Sequence, residues 1–288
     1  MAEVLVQQLL NGLSTGFGYA LIALGLTLAF GVLHIINFGH GEVVMLGALT
    51  VVIATTKFGL PYLAALPLAA LVGAGVGWVF NAVAVKPLLP RAEGRTDILL
   101  TTFAVGVLFF QVVLSVWGPA PARVDGLQGR VEVLGVGLTA QRLFIMGASI
   151  AALWALERLA RTTRFGVEMR AVAQSEHAAR VVGIDVPAVG TRTFLLAAAI
   201  AGFGGALLAP ITSYAPTLGQ AVLIKAFVIV VMGGLGSTTG AVVCALGIGV
   251  LEAMLGMVVE ESVAAGSVYG LMLLTLLVRP QGLLGARA

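Results

Sequence analysis

The sequence has very few charged residues for its length. Of 288 residues, only 16 are Lys or Arg and 13 are Asp or Glu, whereas hydrophobic residues make up 59% of the chain. The mean hydropathy is +1.07. Because a soluble domain usually carries about 25% charged residues, this chain cannot cover a water-soluble surface. Intrinsic disorder is excluded as well, since disordered segments have low hydrophobicity.

Cysteine and nucleotide-binding motifs are scarce or missing. Cys244 is the only cysteine and lies in an apolar run, which excludes a disulfide scaffold. The sequence contains no G-x-x-x-x-G-K-[ST] motif and no Gly-Lys pair, so it lacks the P-loop with which a chain cradles a nucleotide phosphate. If ATP drives this protein, another subunit binds it.

Catalytic and metal-binding signatures are weak. The segment Gly12-Leu13-Ser14-Thr15-Gly16 matches G-x-S-x-G, but it begins an apolar helix rather than a strand-to-helix turn, so we interpret it as a helix-packing motif. His34, His40 and Glu42 have no recognised ligand spacing. We therefore predict no catalytic residue, no metal and no cofactor bound by this chain.

Long apolar runs dominate what is present. A helix needs about 20 apolar residues to cross a membrane, and lipid permits only helices and closed barrels. We predict an all-α polytopic bundle of about eight transmembrane helices, forming one domain over residues 1–288. The predicted spans are residues 9–32, 62–85, 98–117, 142–160, 191–209, 239–258 and 262–278. Two more segments, 41–56 and 217–236, are short or broken.

The basic residues predict which loops are cytoplasmic. Residues 158–192 carry six arginines against three acidic residues, and the loop 86–97 is also basic. We expect both loops and the C-terminus in the cytoplasm, and residues 118–141 and 260–261 outside. Concentration of the positive charge in one loop argues against nucleic-acid binding. The basic residues that predict this orientation are Lys86, Arg91, Arg95, Arg158, Arg161, Arg164, Arg170, Arg180, Arg192, Arg279 and Arg287.

The side of the N-terminus depends on residues 41–56. If this segment crosses fully, three crossings precede the loop 86–97 and the N-terminus lies outside. If it is re-entrant, the N-terminus lies inside, which is the arrangement we favour. No cleavable signal peptide is expected, because residues 1–8 carry no Lys or Arg.

Glycine spacing predicts close helix packing and a weak internal duplication. Helices associate in lipid through small residues, and pairs four residues apart occur at Gly12/Gly16, Gly73/Gly77 and Gly236/Gly240. A broken, glycine-containing segment occurs once in each half, at 35–42 and 231–237. Paired interruptions of this kind mark the substrate region of transporters built from repeats.

The first polar cluster is a helix break within apolar sequence. It consists of Asn37, Phe38, Gly39, His40, Gly41 and Glu42. Polar groups at membrane depth tend to face a cavity or the protein interior, so these residues are candidates for the substrate path. Alternatively, Asn37 and Glu42 only cap the helix that follows, where a carboxylate meets the positive end of the helix dipole. The two roles are compatible.

The second cluster lies in the basic loop. Strong helix formers fill the stretch between Gly166 and Gly183, which predicts one short cytoplasmic helix that docks onto another protein or, alternatively, is a solvated surface helix. In the apolar runs, Lys225 and Glu252 are isolated charges. We expect them to pair across helices; the alternative is a role in contacting the substrate.

Both clusters, in this order, resemble the branched-chain amino acid ABC transporter permeases of the LivH type. The resemblance covers nearly the whole chain. Its matching segments are Asn11-Gly12, Tyr19 to Gly25, Ile36 to Glu42, Arg170-Ala171, Ala178-Ala179, Gly183-Ile184, Gly233 to Ser237 and Arg279 to Gly285. The string Ile36-Asn37-Phe38-Gly39-His40-Gly41-Glu42 is the most specific of these, whereas the glycine runs are common.

The resemblance implies a non-catalytic permease of the bacterial inner membrane. Its partners would be a second, LivM-like permease, two cytoplasmic ATPases that bind ATP and Mg, and a periplasmic binding protein. The cytoplasmic loop would cover residues 161–190, and within it the family's ATPase-contacting segment maps onto residues 166–185. The implied contacts are at Arg170, Ala171, Glu176, His177, Ala178, Ala179 and Gly183. This chain departs from the family's E-A-A-x-x-x-G pattern, because His177 replaces the Glu and Glu176 precedes it.

The predicted function is import of branched-chain amino acids by alternating access. Urea, short amides and aromatic acids are the related cargoes that such permeases carry. The predicted substrate path includes the cluster at 37–42 and the second break at Gly233, Gly234 and Gly236. The competing interpretation is an ion-coupled secondary transporter or channel, which has no evident use for the loop helix.

Overall fold

The computed structural model describes residues 2–89, 95–133 and 135–285. It is almost entirely helical, as the sequence predicts. The helices are α1 (Ala2–Leu33), α2 (His40–Thr56), α3 (Tyr62–Phe80), α4 (Arg95–Trp117), α5 (Ala140–Thr162), α6 (Arg164–Gln174), α7 (Glu176–Val181), α8 (Val186–Thr212), α9 (Leu218–Gly233), α10 (Thr238–Leu255) and α11 (Glu261–Val278). A π-helical turn, Asn81–Val85, extends α3, and the strands β1 (Arg130–Val133) and β2 (Val136–Thr139) form an antiparallel hairpin.

Within the described ranges, six helices are long and apolar enough to cross a membrane. They are α1, α3 with its π-helical turn, α4, α5, α8 and α10. The helices α2, α9 and α11 are apolar but shorter. This architecture confirms the polytopic all-α prediction, and the two segments predicted as short or broken are α2 and α9.

Close glycine contacts hold the centre of the bundle together. A Cβ atom added at Gly12 would lie 2.6 Å from the Gly249 carbonyl oxygen, and one at Gly73 would lie 2.6 Å from the Ala198 carbonyl oxygen. The α1–α10 and α3–α8 crossings therefore depend on glycine, as the four-residue spacing predicts. Ser14 of α1 is fully buried, and its hydroxyl donates to the Arg142 carbonyl of α5 at 3.2 Å.

Contacts between loops show which segments lie together at one end of the bundle. At the end that carries the arginine-rich residues 158–192, here called the basic end, Asn81 Nδ2 donates to Thr191 Oγ1 at 3.2 Å. The C-terminal segment joins the same end, since the Leu283 amide donates to the Met232 carbonyl at 2.7 Å. The basic loops and the C-terminal segment therefore lie together. Arg91 and Arg287, which helped to predict this, fall outside the described residues.

The direction of α1 contradicts the N-terminal side that we favoured from sequence. Arg142 Nη1 donates to the Asn11 carbonyl at 3.0 Å, so the start of α1 lies beside the start of α5, at the end opposite the basic one. Val32, near the other end of α1, packs against Met169 and Val186 at the basic end. The re-entrant prediction is therefore wrong, and α2 with the break before it completes a crossing.

Candidate functional site

The chain breaks between α1 and α2 over residues 34–39. His34 has a positive φ of 53°, which ends α1. Asn37 is 2% exposed, and its Oδ1 accepts a hydrogen bond from the Gly39 amide at 3.0 Å. The His40 amide then donates to the Asn37 carbonyl at 3.3 Å, which starts α2. The predicted break is confirmed. Asn37 satisfies an amide of the turn before α2, but no side chain caps the helix itself.

Phe38 lies at the junction of the break with α4 and α9. Its amide donates to Thr102 Oγ1 at 3.2 Å. Its ring lies 6.5 Å from the Phe103 ring and 6.4 Å from the Phe227 ring, measured between centroids. The side chain is half-buried in this aromatic cluster. The break therefore combines satisfied backbone groups with an apolar aromatic surface.

Gly41 and Gly219 bring α2 and α9 into backbone contact. A Cβ atom at Gly219 would lie 2.7 Å from the Gly41 carbonyl oxygen. At Gly39, the neighbour that leaves no room for a Cβ atom is the ring of Phe80 on α3. Any larger residue would push α9 or α3 away from the break.

His40 is buried against α1 and already has a partner. It is 1% exposed, and its Nε2 lies 3.0 Å from the Ile22 carbonyl oxygen. Among the residues that the structure describes, no three His, Cys, Asp or Glu side chains are grouped as metal ligands would be. His40 is therefore placed to fix the start of α2 against α1.

Glu42, just after the break, has a carboxylate oxygen, Oε2, without a hydrogen-bond partner among the described residues. It lies in the first turn of α2 and is 6% exposed. The capping alternative predicted that this carboxylate would accept from free helix amides, but it accepts from none of those described. Tyr214 is fully buried, and its hydroxyl likewise has no hydrogen-bond partner among the described residues.

The second glycine break lies at the basic end. Gly233 ends α9, and Gly234 and Gly236 have φ values of 101° and 86°, which only glycine adopts easily. A Cβ atom at Gly234 would lie 2.6 Å from Gly285 Cα. Gly233 and Gly234 therefore contact the C-terminal segment, whereas Gly236 lies nearest to Gly31 of α1. The assignment of all three to a substrate path stays a prediction.

The basic loop contains two helices where the sequence predicted one. Thr163 caps α6 by accepting from the Gly166 amide at 3.0 Å, and Ser175 caps α7 by accepting from the Ala178 amide at 3.2 Å. Ser175 is in an extended conformation, so the single helix expected between Gly166 and Gly183 is divided. The physical reason is that serine competes with helix by capping the turn that follows it. Gly183, with a φ of 84°, does terminate the segment.

The α6–α7 pair is docked on the bundle through one apolar face. Met169, Val172 and Ala179 are buried against Val32, Val186 and Val189 of α1 and α8. The other face is exposed and includes Arg170, His177, Ala178 and Gly183, whereas Ala171 and Glu176 are half-buried. Arg170 donates to the Ala160 carbonyl, and Glu176 lies 3.7 Å from Arg180.

Two exposed valines stand at the tip of α7. Val181 and Val182 are 74% and 75% exposed, between Arg180 and Gly183. A charged loop at the membrane end has no folding reason to present adjacent apolar side chains to water. They lie close to Ala178 and Ala179, two of the residues predicted from the resemblance to contact an ATPase.

Lys225 and Glu252 form the predicted pair across helices. The Lys225 Nζ lies 2.8 and 3.2 Å from the two Glu252 carboxylate oxygens and 3.1 Å from the Tyr19 hydroxyl. The pairing is confirmed, and Tyr19 is an additional partner that the sequence did not reveal. The cluster joins α1, α9 and α10.

These features together define a polytopic membrane permease. Long apolar helices, a broken helix with a buried carboxylate and a helix pair docked on the basic end belong to one bundle. The profile of the family described as "Branched-chain amino acid transport system / permease component" matches residues 8–277. The chain belongs to this family.

Named relatives agree with the family assignment. The high-affinity branched-chain amino acid transport system permease protein LivH of Salmonella typhimurium is 31% identical over 97% of this chain and 95% of that protein. The corresponding BraD of Pseudomonas aeruginosa has the same identity and coverage. The permease LivM of Salmonella typhimurium is 27% identical over 92% of this chain and 67% of its own length.

Proposed function

We propose that this chain is the transmembrane permease subunit of an ATP-binding cassette importer for branched-chain amino acids. Separate ATPases supply the energy, a second LivM-like permease completes the pore, and a periplasmic binding protein delivers the cargo. The membrane is the bacterial inner membrane, and the basic end faces the cytoplasm. The names of the related LivH, BraD and LivM permeases support this cargo and this kind of partner.

The observation that carries the proposal is the docked α6–α7 pair. Its apolar face is buried on α1 and α8, and its tip presents Val181 and Val182. A helix pair held in this way transmits a push to the two helices on which it rests. ATP-driven closure of the ATPases would then shift the bundle between two packings, because the ATPase contact differs between the two states.

The cargo path is assigned to the break before α2. The residues are Asn37, Phe38, Gly39, His40 and Glu42, with Gly233, Gly234 and Gly236 at the basic end. In a Cys244→Ala background, cysteines at positions 37–42 should change their labelling rate with the transport state. Constant inaccessibility would leave these residues a capping role only.

Placing charged side chains at the tip of α7 tests the coupling assignment. The double variant Val181→Glu/Val182→Glu should reduce recovery of a P-loop ATPase with the chain from native membranes, and should lower ATP-driven leucine uptake about tenfold. Val258→Glu is the matched control, because this valine is 84% exposed at the opposite end of the bundle. Normal ATPase recovery and uptake in the double variant would refute the coupling role.

A simpler experiment separates the proposed mechanism from the competing ion-coupled one, which needs no ATPase. Vesicles containing the chain without any ATPase should not concentrate leucine, with or without an ion gradient. Concentrative uptake under these conditions would refute the ATP-driven mechanism.

A further inference from the structure

Two glycine-containing segments that lie far apart in the sequence meet at the basic end. One is the break after α9, residues 233–237, and the other is the C-terminal segment, residues 279–285, which follows α11. The Gly282 amide donates to the Arg279 carbonyl at 3.0 Å, which closes a turn after α11. Both segments belong to the resemblance with the permease family, but the proposed function gives the C-terminal segment no role.

The C-terminal segment binds the last carbonyl groups of α9. The Leu283 amide donates to the Met232 carbonyl at 2.7 Å, and the Leu284 amide donates to the Gly233 carbonyl at 3.2 Å. The carbonyls in the last turn of a helix have no partner within that helix and need a donor from elsewhere. The C-terminal segment therefore caps α9 with backbone amides.

Glycine allows the two segments to touch backbone to backbone. Gly282 has a φ of 82°, and a Cβ atom there would lie 2.5 Å from the Gly234 nitrogen. A Cβ atom at Gly234 would lie 2.6 Å from the Gly285 nitrogen. The side chains of Leu283 and Leu284 are 44% and 49% exposed, so the contact depends on the backbone rather than on their apolar surface.

The helix α9 connects this contact to the break before α2. Its first turn lies against that break, because a Cβ atom at Gly219 would lie 2.7 Å from the Gly41 carbonyl oxygen. Its last turn is bonded to the C-terminal segment. Beyond α9 the chain continues through Gly234 and Gly236, and glycine holds a backbone direction less firmly than other residues. The C-terminal segment therefore ties the end of α9 to α11.

We propose that the C-terminal segment positions α9, so that a displacement of the basic end is carried along α9 to the break before α2. Leu283 and Leu284 act through their amides as positioning residues. This inference rests on the proposed function, because it concerns how ATP-driven movement reaches the cargo path.

The C-terminal segment and the α6–α7 pair act on different helices. The α6–α7 pair rests on α1 and α8, whereas the C-terminal segment holds α9. If the segment is released, the ATPases still move α1 and α8, but α9 no longer follows. ATP hydrolysis then continues while fewer cargo molecules cross, so the segment sets the efficiency of coupling.

The test measures ATP hydrolysed per leucine imported by the transporter, assembled with its partner subunits in proteoliposomes. Leu283→Pro removes the amide that bonds to the Met232 carbonyl, because proline has no N–H group. The ratio should rise about fivefold, the factor by which the loss of one typical hydrogen bond shifts an equilibrium. A merely structural role would not move this ratio, because loss of folded protein lowers hydrolysis and uptake together.

Two matched controls separate the backbone contact from other effects. Leu283→Ala keeps the amide and removes only an exposed side chain, so its ratio should equal that of the wild type. Gly282→Ala places a Cβ atom against Gly234 and should raise the ratio as Leu283→Pro does. Gly270→Ala on α11 should leave it unchanged, because a Cβ atom there has no neighbour within 4 Å.

Two results would overturn the inference. One is a wild-type ratio in Gly282→Ala, which decides the matter alone if Leu283→Pro does not assemble. The other is a raised ratio in Leu283→Ala, which would assign the effect to the exposed side chain and its contact with another subunit. Failure of the proposed function looks different, because the wild-type assembly itself would then show no ATP-dependent leucine uptake.

Discussion

At the residue scale, two glycines of α3 differ sharply in what surrounds them. A Cβ atom at Gly73 would lie 2.6 Å from the Ala198 carbonyl oxygen, whereas one at Gly75 would have no neighbour within 4 Å. Gly73→Ala should therefore destabilise the bundle by about 1–3 kcal/mol through overpacking. Gly75→Ala should be neutral or slightly stabilising. Thermal unfolding in detergent measures both, and equal midpoints would contradict the assigned α3–α8 contact.

The Lys225–Glu252 pair makes a second prediction at this scale. The two side chains are 20% and 15% exposed, so removing one leaves a largely buried charge. Lys225→Met should cost about 3 kcal/mol. The double variant Lys225→Met/Glu252→Gln should recover most of that loss, as a double-mutant cycle by thermal unfolding would show. Additive losses would mean that the two residues are not coupled.

Single residues were predictable from the sequence where their chemistry was unusual for their surroundings. Lys225 and Glu252 are isolated charges in apolar runs, so their pairing could be inferred without coordinates. Tyr19 could not be found in this way, because a tyrosine in an apolar run is ordinary. Its part in the Lys225–Glu252 cluster depends on which helices cross, and packing over long sequence distances determines that.

At the element scale, α7 depends on its cap. It has only six residues, too few to be stable alone, and Ser175 accepts from its Ala178 amide. Ser175→Ala should lower the local stability of α7 by about 1 kcal/mol, and Ser175→Asp, an equally good cap, should not. Amide hydrogen exchange at residues 178–182 measures this difference. Equal protection in both variants would show that the cap does not hold α7.

Helices and breaks were predictable where the length of an apolar run determines them. The long apolar helices and the break at residues 34–39 follow from runs of apolar sequence and from polar residues that interrupt them. The division of the basic loop at Ser175 did not follow, because helix formers surround that serine and its capping conformation competes only locally. The π-helical turn at Asn81–Val85 and the β1–β2 hairpin were not predicted from the sequence.

At the scale of the whole molecule, α1 starts at the end opposite the basic one. Leu5 is 49% exposed near that start, and Val181 is 74% exposed at the basic end. In intact cells, with Cys244→Ala as background, a membrane-impermeant maleimide should label Leu5→Cys from outside and should not label Val181→Cys. Labelling with the reverse pattern would invert the orientation.

The sequence left this orientation undecided because α2 is short. Its 17 residues span about 25 Å at 1.5 Å per residue, less than the hydrocarbon core. The composition of so short a helix fits a re-entrant segment and part of a crossing equally well. The contacts of Asn11 with Arg142 and of Val32 with Met169 resolve the choice, and these contacts join residues far apart in the chain.

One backbone pairing at the outer rim limits how the bundle can move. The Ala122 amide donates to the Tyr214 carbonyl at 2.9 Å, and the Tyr214 amide donates to the Ala122 carbonyl at 2.8 Å. These two bonds crosslink the chain that follows α4 to the chain that follows α8. In the proposed importer, a binding protein that displaced the stretch around Ala122 would therefore also displace Tyr214 and the start of α9, without any rearrangement at the basic end.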